Sequence, residues 1–183
     1  IGNDDTADGG NGPRGRSAEL MKRQAKMTKS AQIARTADSV PSQGGTGYPE
    51  IFAVNIVDRS KKALGDAFGL TNFGVNLVTL PVGEISSQRH WHSKQDELVY
   101  VLQGELTLIT NDGEQTIGPG MVAGFAAGAE NGHQLVNRGQ DDAVYLEVGD
   151  RSADDTVEYP DIDMRCINQD GEDILIHKNG VPY

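Results

Sequence analysis

Arg89-His-Trp-His-Ser-Lys-Gln-Asp-Glu-Leu-Val-Tyr-Val-Leu-Gln-Gly104 brings two histidines, a carboxylate and a run of strand-forming residues into one short segment. His90 and His92 are two apart, and side chains two apart on a β-strand leave the same face, so both imidazoles can reach one point. The polar stretch Ser-Lys-Gln-Asp then turns the chain back and carries Glu97 toward that point on a neighbouring strand. Asp96 competes for the carboxylate role. Period 2 favours Glu97: if Glu97, Val99 and Val101 face inward, Asp96 faces out. A third histidine, His133, opens the apolar run Gln134-Leu-Val-Asn137. Three neutral imidazoles and one carboxylate suit a single divalent transition metal ion, iron(II), manganese, nickel, copper or zinc, and leave positions open on an octahedral ion.

Working outward, strands are expected wherever apolar residues alternate or run for strand length. These are Ile51–Val57, Phe73–Thr79, His90–His92, Glu97–Leu102, Leu106–Thr110, Gln115–Ile117, Met121–Phe125, His133–Val136 and Ala143–Val148. Leu64–Leu70 reads as a loop or a single helical turn. Asp112-Gly113, Pro119-Gly120 and Asn131-Gly132 supply turn chemistry between strands. Many short strands at spacings of roughly 8–12 residues predict an all-β sandwich or barrel. Ile174–Tyr183 is expected to add a further strand or arm. Residues Ile1–Gly47 contain no aromatic residue and are rich in Gly, Asp, Asn and Ser, which predicts a flexible N-terminal extension, with the folded domain running from Tyr48 to Tyr183. Within the extension Ser17–Ala37 reads as a short helix. Met27 reads as a natural start, with an upstream extension before it.

The net charge of −11 argues against a nucleic-acid partner, because phosphate affinity rests on clustered Lys and Arg. From Asp141 to Asp173, twelve carboxylates are set against only Arg151 and Arg165, which reads as a solvated acidic face and tail. One cysteine, Cys166, forms no internal disulfide, so the expected location is cytoplasmic. No apolar run approaches the ~18 residues of a membrane span, so no membrane partner is expected.

Two motifs resemble those of the cupin superfamily. The first reads Gly83, six residues, His90-Trp91-His92, four residues, Glu97, six residues, Gly104; its first spacer is one residue longer than the usual pattern. The second reads Gly120, five residues, Ala126-Ala127-Gly128, four residues, His133, three residues, Asn137. Here Ala126 stands where a proline is usual, and the loop before His133 is two residues longer. The resemblance spans about Phe73–Val148. It implies a double-stranded β-helix, or jelly-roll, barrel with His90, His92, Glu97 and His133 as metal ligands. The chain is similar to small single-domain bacterial cupins, some of which carry a sugar-phosphate isomerase designation. Fold alone does not settle function in this superfamily. The expected activity is a metal-dependent isomerisation of a sugar or sugar phosphate; the alternatives are an iron(II)-dependent dioxygenase or a non-catalytic small-molecule-binding protein.

Tyr145 and Glu147 alternate with Leu146 and Val148 on the last core strand, so one of the two pairs lines the cavity and the pattern leaves open which; Tyr145 and Glu147 are the candidate catalytic acid and base. Asn72 and Asn76 are candidate polar contacts of the cavity. Lys94, Gln95 and Arg138 are candidates to hold a phosphate or carboxylate at the barrel mouth. Arg89 and Trp91, on the face opposite the ligands, are expected to pack between sheets or at a dimer contact. His177, outside both motifs, reads as a surface histidine. Open strand edges and terminal arms favour a homodimer.

Overall fold

The computed structural model describes residues 33–169 and 172–183. The strands are β1 (Gln43–Gly44), β2 (Ser60–Ala63), β3 (Phe73–Leu80), β4 (Trp91–His92), β5 (Glu97–Gln103), β6 (Leu106–Thr110), β7 (Gly113–Ile117), β8 (Val122–Phe125), β9 (Gln134–Val136), β10 (Ala143–Asp150), β11 (Thr156–Tyr159), β12 (Met164–Gln169) and β13 (Glu172–Ile176). Apart from short 3-10 turns, the described residues contain no helix. No described helix is long and apolar enough to cross a membrane. The expected all-β architecture is what the chain adopts.

One antiparallel sheet has the order β1-β2-β3-β10-β5-β8. Facing it are β7-β6-β9 and β13-β12-β11-β4, joined where His90 bridges His133 and Ile85 bridges Val136. Inward residues of β3, β5 and β10 (Val78, Leu80, Val99, Val101, Tyr145) meet Leu106, Leu108, Ile117 and Leu135 from the second layer. This alternation of buried and outward residues closes one core between the sheets. Two motif positions have structural roles away from any ligand. Gly104 takes φ +76°, and a Cβ there would lie 2.8 Å from the backbone of Asp142 and Ala143. Asn137 is fully buried; its Nδ2 donates to the carbonyls of Leu80 (2.8 Å) and Asp141 (2.9 Å), while its Oδ1 accepts from Gly139 N (2.9 Å).

The compact unit begins at Thr36: Val40 is buried and Gln43–Gly44 pairs with Ser60 and Lys61. The helix expected over Ser17–Ala37 lies outside the described residues except at its C-terminal end. The apolar run Ile51–Val57 is not a strand. It forms a 3-10 turn at Glu50–Phe52 and then a turn through Asn55 at φ 59°, a left-handed conformation that asparagine tolerates better than most residues. The strand position is taken by Ser60–Ala63, a segment too polar for its pattern to be noticed. Its period-2 alternation is nonetheless present: Lys61 points inward to Glu147 and Lys62 outward to Asp38.

The acidic stretch is likewise not a uniformly solvated face. Asp155 is buried, Glu147 lines the interior, and Asp161, Glu158 and Asp163 are paired with Arg89, Arg165 and His177. Two polar strands, β11 and β12, thread through that stretch and bury Tyr159 and Met164. Burial pushes the Cys166 thiol up to about 11, so it stays protonated.

The turn at Ile51–Val57 generates a contrast. Ile56 is 0% exposed and Val54 is 66% exposed. Ile56→Ala is expected to cost about 2–5 kcal/mol and Val54→Ala no more than about 0.5 kcal/mol, read by urea denaturation; comparable losses at both positions would restore the strand reading.

Candidate metal centre

His90 and His133 face each other across an antiparallel bridge in which each backbone N–H donates to the other's carbonyl, at 3.1 and 2.8 Å. Directly opposed residues share a face, and the ring centroids lie 4.6 Å apart. His92, two residues on, is held by β4 pairing with Val157 of β11. Glu97 approaches from the other sheet, as the first residue of β5. The three Nε2 atoms converge on one carboxylate oxygen: Glu97 Oε2 lies 3.2 Å from His133, 3.6 Å from His92 and 3.8 Å from His90.

These separations fit a shared ion. Bonds of about 2.0–2.2 Å to nitrogen and oxygen set neighbouring ligand atoms about 3–3.6 Å apart. His90, His92 and Glu97 each place a ligand atom within 4.8 Å of the other two and form a group able to hold a metal ion. His133 lies outside that mutual set and joins it through its contact with Glu97.

The far side of each ring explains why the Nε2 atoms point inward. His92 Nδ1 lies 2.6 Å from Asp155 Oδ2, and His90 Nδ1 lies 2.9 Å from the carbonyl of Gln88 and 3.1 Å from Ser87 Oγ. A carbonyl and a carboxylate only accept, so the proton sits on Nδ1 in both rings and the Nε2 lone pair is left for an ion. Asp155 is itself fixed by the Lys94 backbone N–H (2.7 Å) and the Ser93 hydroxyl (3.1 Å). Burial pushes its carboxyl up, but the His92 contact and the Lys94 N–H outweigh this and hold it below the usual range. His133 is oriented differently: its ring stacks on Phe125 at 3.6 Å and 6°, and its buried Nδ1 has no hydrogen-bond partner among the described residues. Burial lowers the His133 pKa despite Glu97, which keeps the imidazole neutral as ligation requires. For Glu97, burial alone raises the pKa; the imidazoles of His133 and His90 overcome it and hold the carboxyl well below the usual range.

A cavity of about 250 Å³ opens on this group, small for a binding site and suited to a small metabolite. Tyr145 and Glu147, the pair expected from strand alternation, both line it. Glu147 Oε1 accepts from Lys61 Nζ (2.6 Å) and Asn76 Nδ2 (3.0 Å), which brings Asn76 to the interior; Asn72 stays exposed. The Tyr145 hydroxyl is fully buried and has no hydrogen-bond partner among the described residues.

The other expected residues do not line this cavity, although Gln95, like Trp91, lines a neighbouring pocket beside His92 and His133. Asp96 accepts from the Ala127 N–H, away from the group, as the period-2 argument required. Arg138 is held by Glu114 in a bidentate pair, Lys94 pairs with Asp154, and Gln95 donates to the Ser152 carbonyl. Arg89 pairs with Asp161 as a packing residue, whereas Trp91 lines a second pocket that also touches His92 and His133. His177 sits outside the site, paired with Asp163. Four residues at or behind the site were missed: Arg59, Lys61, Tyr48 and Asp155. All belong to segments read as loop or tail; for Lys61 the period-2 alternation of Ser60–Ala63 was the available signal.

The geometry predicts about one divalent ion per chain by elemental analysis. Asp155→Asn is expected to weaken metal affinity about 10- to 100-fold, and His133→Ala to weaken it as much as His90→Ala if His133 is the fourth ligand. Chelation is expected to lower the melting temperature; an ion held at a hundred times its Kd contributes about 2.7 kcal/mol.

The cupin domain family profile matches residues 76–149. No curated protein matches the chain. Among solved structures, a sugar phosphate isomerase of the cupin superfamily from Silicibacter pomeroyi is 41% identical, with a TM-score of 0.78 over 82% of this chain and 96% of that one. A structure from Acidithiobacillus ferrooxidans, assigned that activity provisionally, is 34% identical, with a TM-score of 0.63 over 69% and 80%. The polyketide cyclase RemF from Streptomyces resistomycificus, at 20% identity and a TM-score of 0.53 over 65% and 80%, shares the fold alone. With both motifs meeting between two antiparallel sheets, and with a 41% identical relative spanned over nearly its whole length, the chain belongs to the cupin superfamily.

Proposed function

We propose that the protein is a metal-dependent isomerase of a sugar or sugar phosphate. His90, His92, Glu97 and His133 are the residues that hold the ion. When bound, a divalent metal acts as a Lewis acid that polarises a carbonyl. The observation that carries the reading is the pairing, within one small cavity, of this ligand group with a carboxylate and a buried phenol. Isomerisation moves a proton between adjacent carbons, so it needs a base within hydrogen-bond reach of the substrate. Glu147 is that base: Lys61 and Asn76 both engage Oε1, which leaves Oε2 for the substrate proton. Tyr145 donates to a substrate oxygen. Burial pushes its hydroxyl well above the ordinary value, so it stays protonated. The names of the two relatives above 30% identity support the reaction class.

We further infer that the protein pairs with a second copy across the outer face of the six-stranded sheet. Leu98, Tyr100 and Leu102 of β5 and Val122 of β8 are exposed there, and register aligns them with Leu146 and Val148 of β10 and with Val75 and Leu77 of β3. These positions carry no formal charge in a chain of net charge −11, and Lys62, which borders them opposite Leu77, is paired with Asp38, so the face suits an identical face related by a two-fold axis.

Incubation of manganese-, zinc- and iron-loaded protein with small phosphosugars, followed by NMR of the products, tests the activity. Glu147→Gln is expected to lower kcat about 10²- to 10⁴-fold while metal content is retained. Oxygen uptake appearing only with iron(II), without isomer formation, favours the dioxygenase. Tyr100→Asp is expected to convert a dimer to a monomer in analytical ultracentrifugation; a wild-type monomer overturns the pairing.

A further inference from the structure

Arg59 lies just before β2, two residues from Lys61, and both side chains reach the cavity that holds the candidate metal ligands. The two cations differ in what they meet. Lys61 is paired with Glu147 at 2.6 Å. Arg59 donates through Nη1 to the carbonyl of Ser86, and among the described residues no carboxylate forms an ion pair with it. That bond ties the guanidinium to the loop leading into His90, and the other N–H donors of its planar fork meet no carboxylate among the described residues. The charged side chains lining the cavity are Arg59, Lys61, Glu97 and Glu147, which cancel one another. A divalent ion held by the histidines and Glu97 would add two positive charges to that lining, of which the buried Asp155 carboxylate behind His92 offsets one, inside a chain whose net charge is −11. A partly buried cation without a counter-charge is costly unless an anion completes it. The unpartnered hydroxyl of Tyr145 lines the same cavity and lies within electrostatic range of Arg59, so it adds a neutral donor for the same ligand.

We propose that Arg59 is the specificity-determining residue of the cavity and reads a terminal oxyanion, phosphate or carboxylate, on a small polyhydroxylated substrate. The proposal rests on the isomerase reading for the polyol part of the ligand and goes beyond it in assigning the anion and its partner. Arg59 grips one end of the molecule through its fork, and a metal held by His90, His92, Glu97 and His133 would supply Lewis acidity at the other end. A bidentate pair of this kind discriminates by charge and shape, which a point charge such as Lys61, already engaged by Glu147, does not.

Calorimetric titration of the metal-loaded protein with a pentose 5-phosphate, the same pentose without phosphate, a hydroxy acid of similar size and inorganic phosphate tests this. The charged compounds are expected to bind at least about tenfold more tightly than the free pentose. Arg59→Gln is expected to erase that preference while leaving the affinity for the free pentose in place, an outcome that a merely structural role does not produce. Arg59→Lys is expected to recover part of the preference, and it carries the test should Arg59→Gln melt early. A free pentose bound as tightly as its phosphate, or a preference for the anion that survives Arg59→Gln, overturns the proposal. Arg59-dependent preference for the hydroxy acid over the phosphosugar supports the oxyanion site and counts against a phosphosugar substrate. Turnover is scored separately: a phosphosugar bound through Arg59 yet never isomerised leaves the anion site standing and removes the isomerase reading.

Discussion

The approach of three imidazole nitrogens to a single carboxylate oxygen is the constraint around which this molecule is arranged. His90 and His133 are tied by reciprocal backbone hydrogen bonds, His92 is locked to β11, and Glu97 reaches across from the opposite sheet. Lone pairs brought this close repel unless a proton or a cation lies among them. The structure maintains the approach by holding the backbones first and the rings second. The antiparallel bridge sets the distance between His90 and His133, and the core beneath, from Val78 to Leu135, keeps the two sheets at the spacing at which Glu97 makes contact.

Orientation comes from a second ring of contacts with three different chemistries. A carboxylate holds His92, a main-chain carbonyl holds His90, and an aromatic stack holds His133. Each leaves Nε2 facing the same point. The acidic C-terminal region participates in this support: Asp155 stands behind His92, Asp161 neutralises Arg89 on the outside of the same segment, and Glu147 organises the cavity floor with Lys61 and Asn76. Asp155, Asp161 and Glu147, which look like solubilising charge in composition, each have a partner.

The fold and the ligand group were legible in the residues because both leave periodic traces. Two histidines at i and i+2, a carboxylate at the start of an alternating strand, and glycines between short apolar runs all follow from strand geometry, and Tyr145 and Glu147 were found on the same principle. The polar strands were not legible. Ser60–Ala63 lacks the apolar alternation that marks a half-buried strand, and Thr156–Tyr159 and Met164–Gln169 carry theirs over only three or four residues inside an acidic stretch. Ile51–Val57 failed in the opposite sense: apolar content suggested a strand, and the left-handed turn at Asn55 prevented one. With β2 unrecognised, the cations of the cavity were sought in Lys94 and Arg138, which have carboxylate partners of their own.

Sequence alone determined the class of fold, the strand that carries His90 and His92, and the choice of Glu97 over Asp96, because each depends on the two-residue repeat of an extended chain; the same repeat grouped Tyr145 with Glu147 on β10 but left open which pair of that strand faces the cavity. Only the tertiary structure decided which charges meet the cavity, how each imidazole is turned, and that Asp155 and Arg59 belong to the site at all. Those are contacts between segments sixty or so residues apart or on strands without apolar pattern, and local periodicity holds no information about which distant polar groups the closure of two sheets brings together.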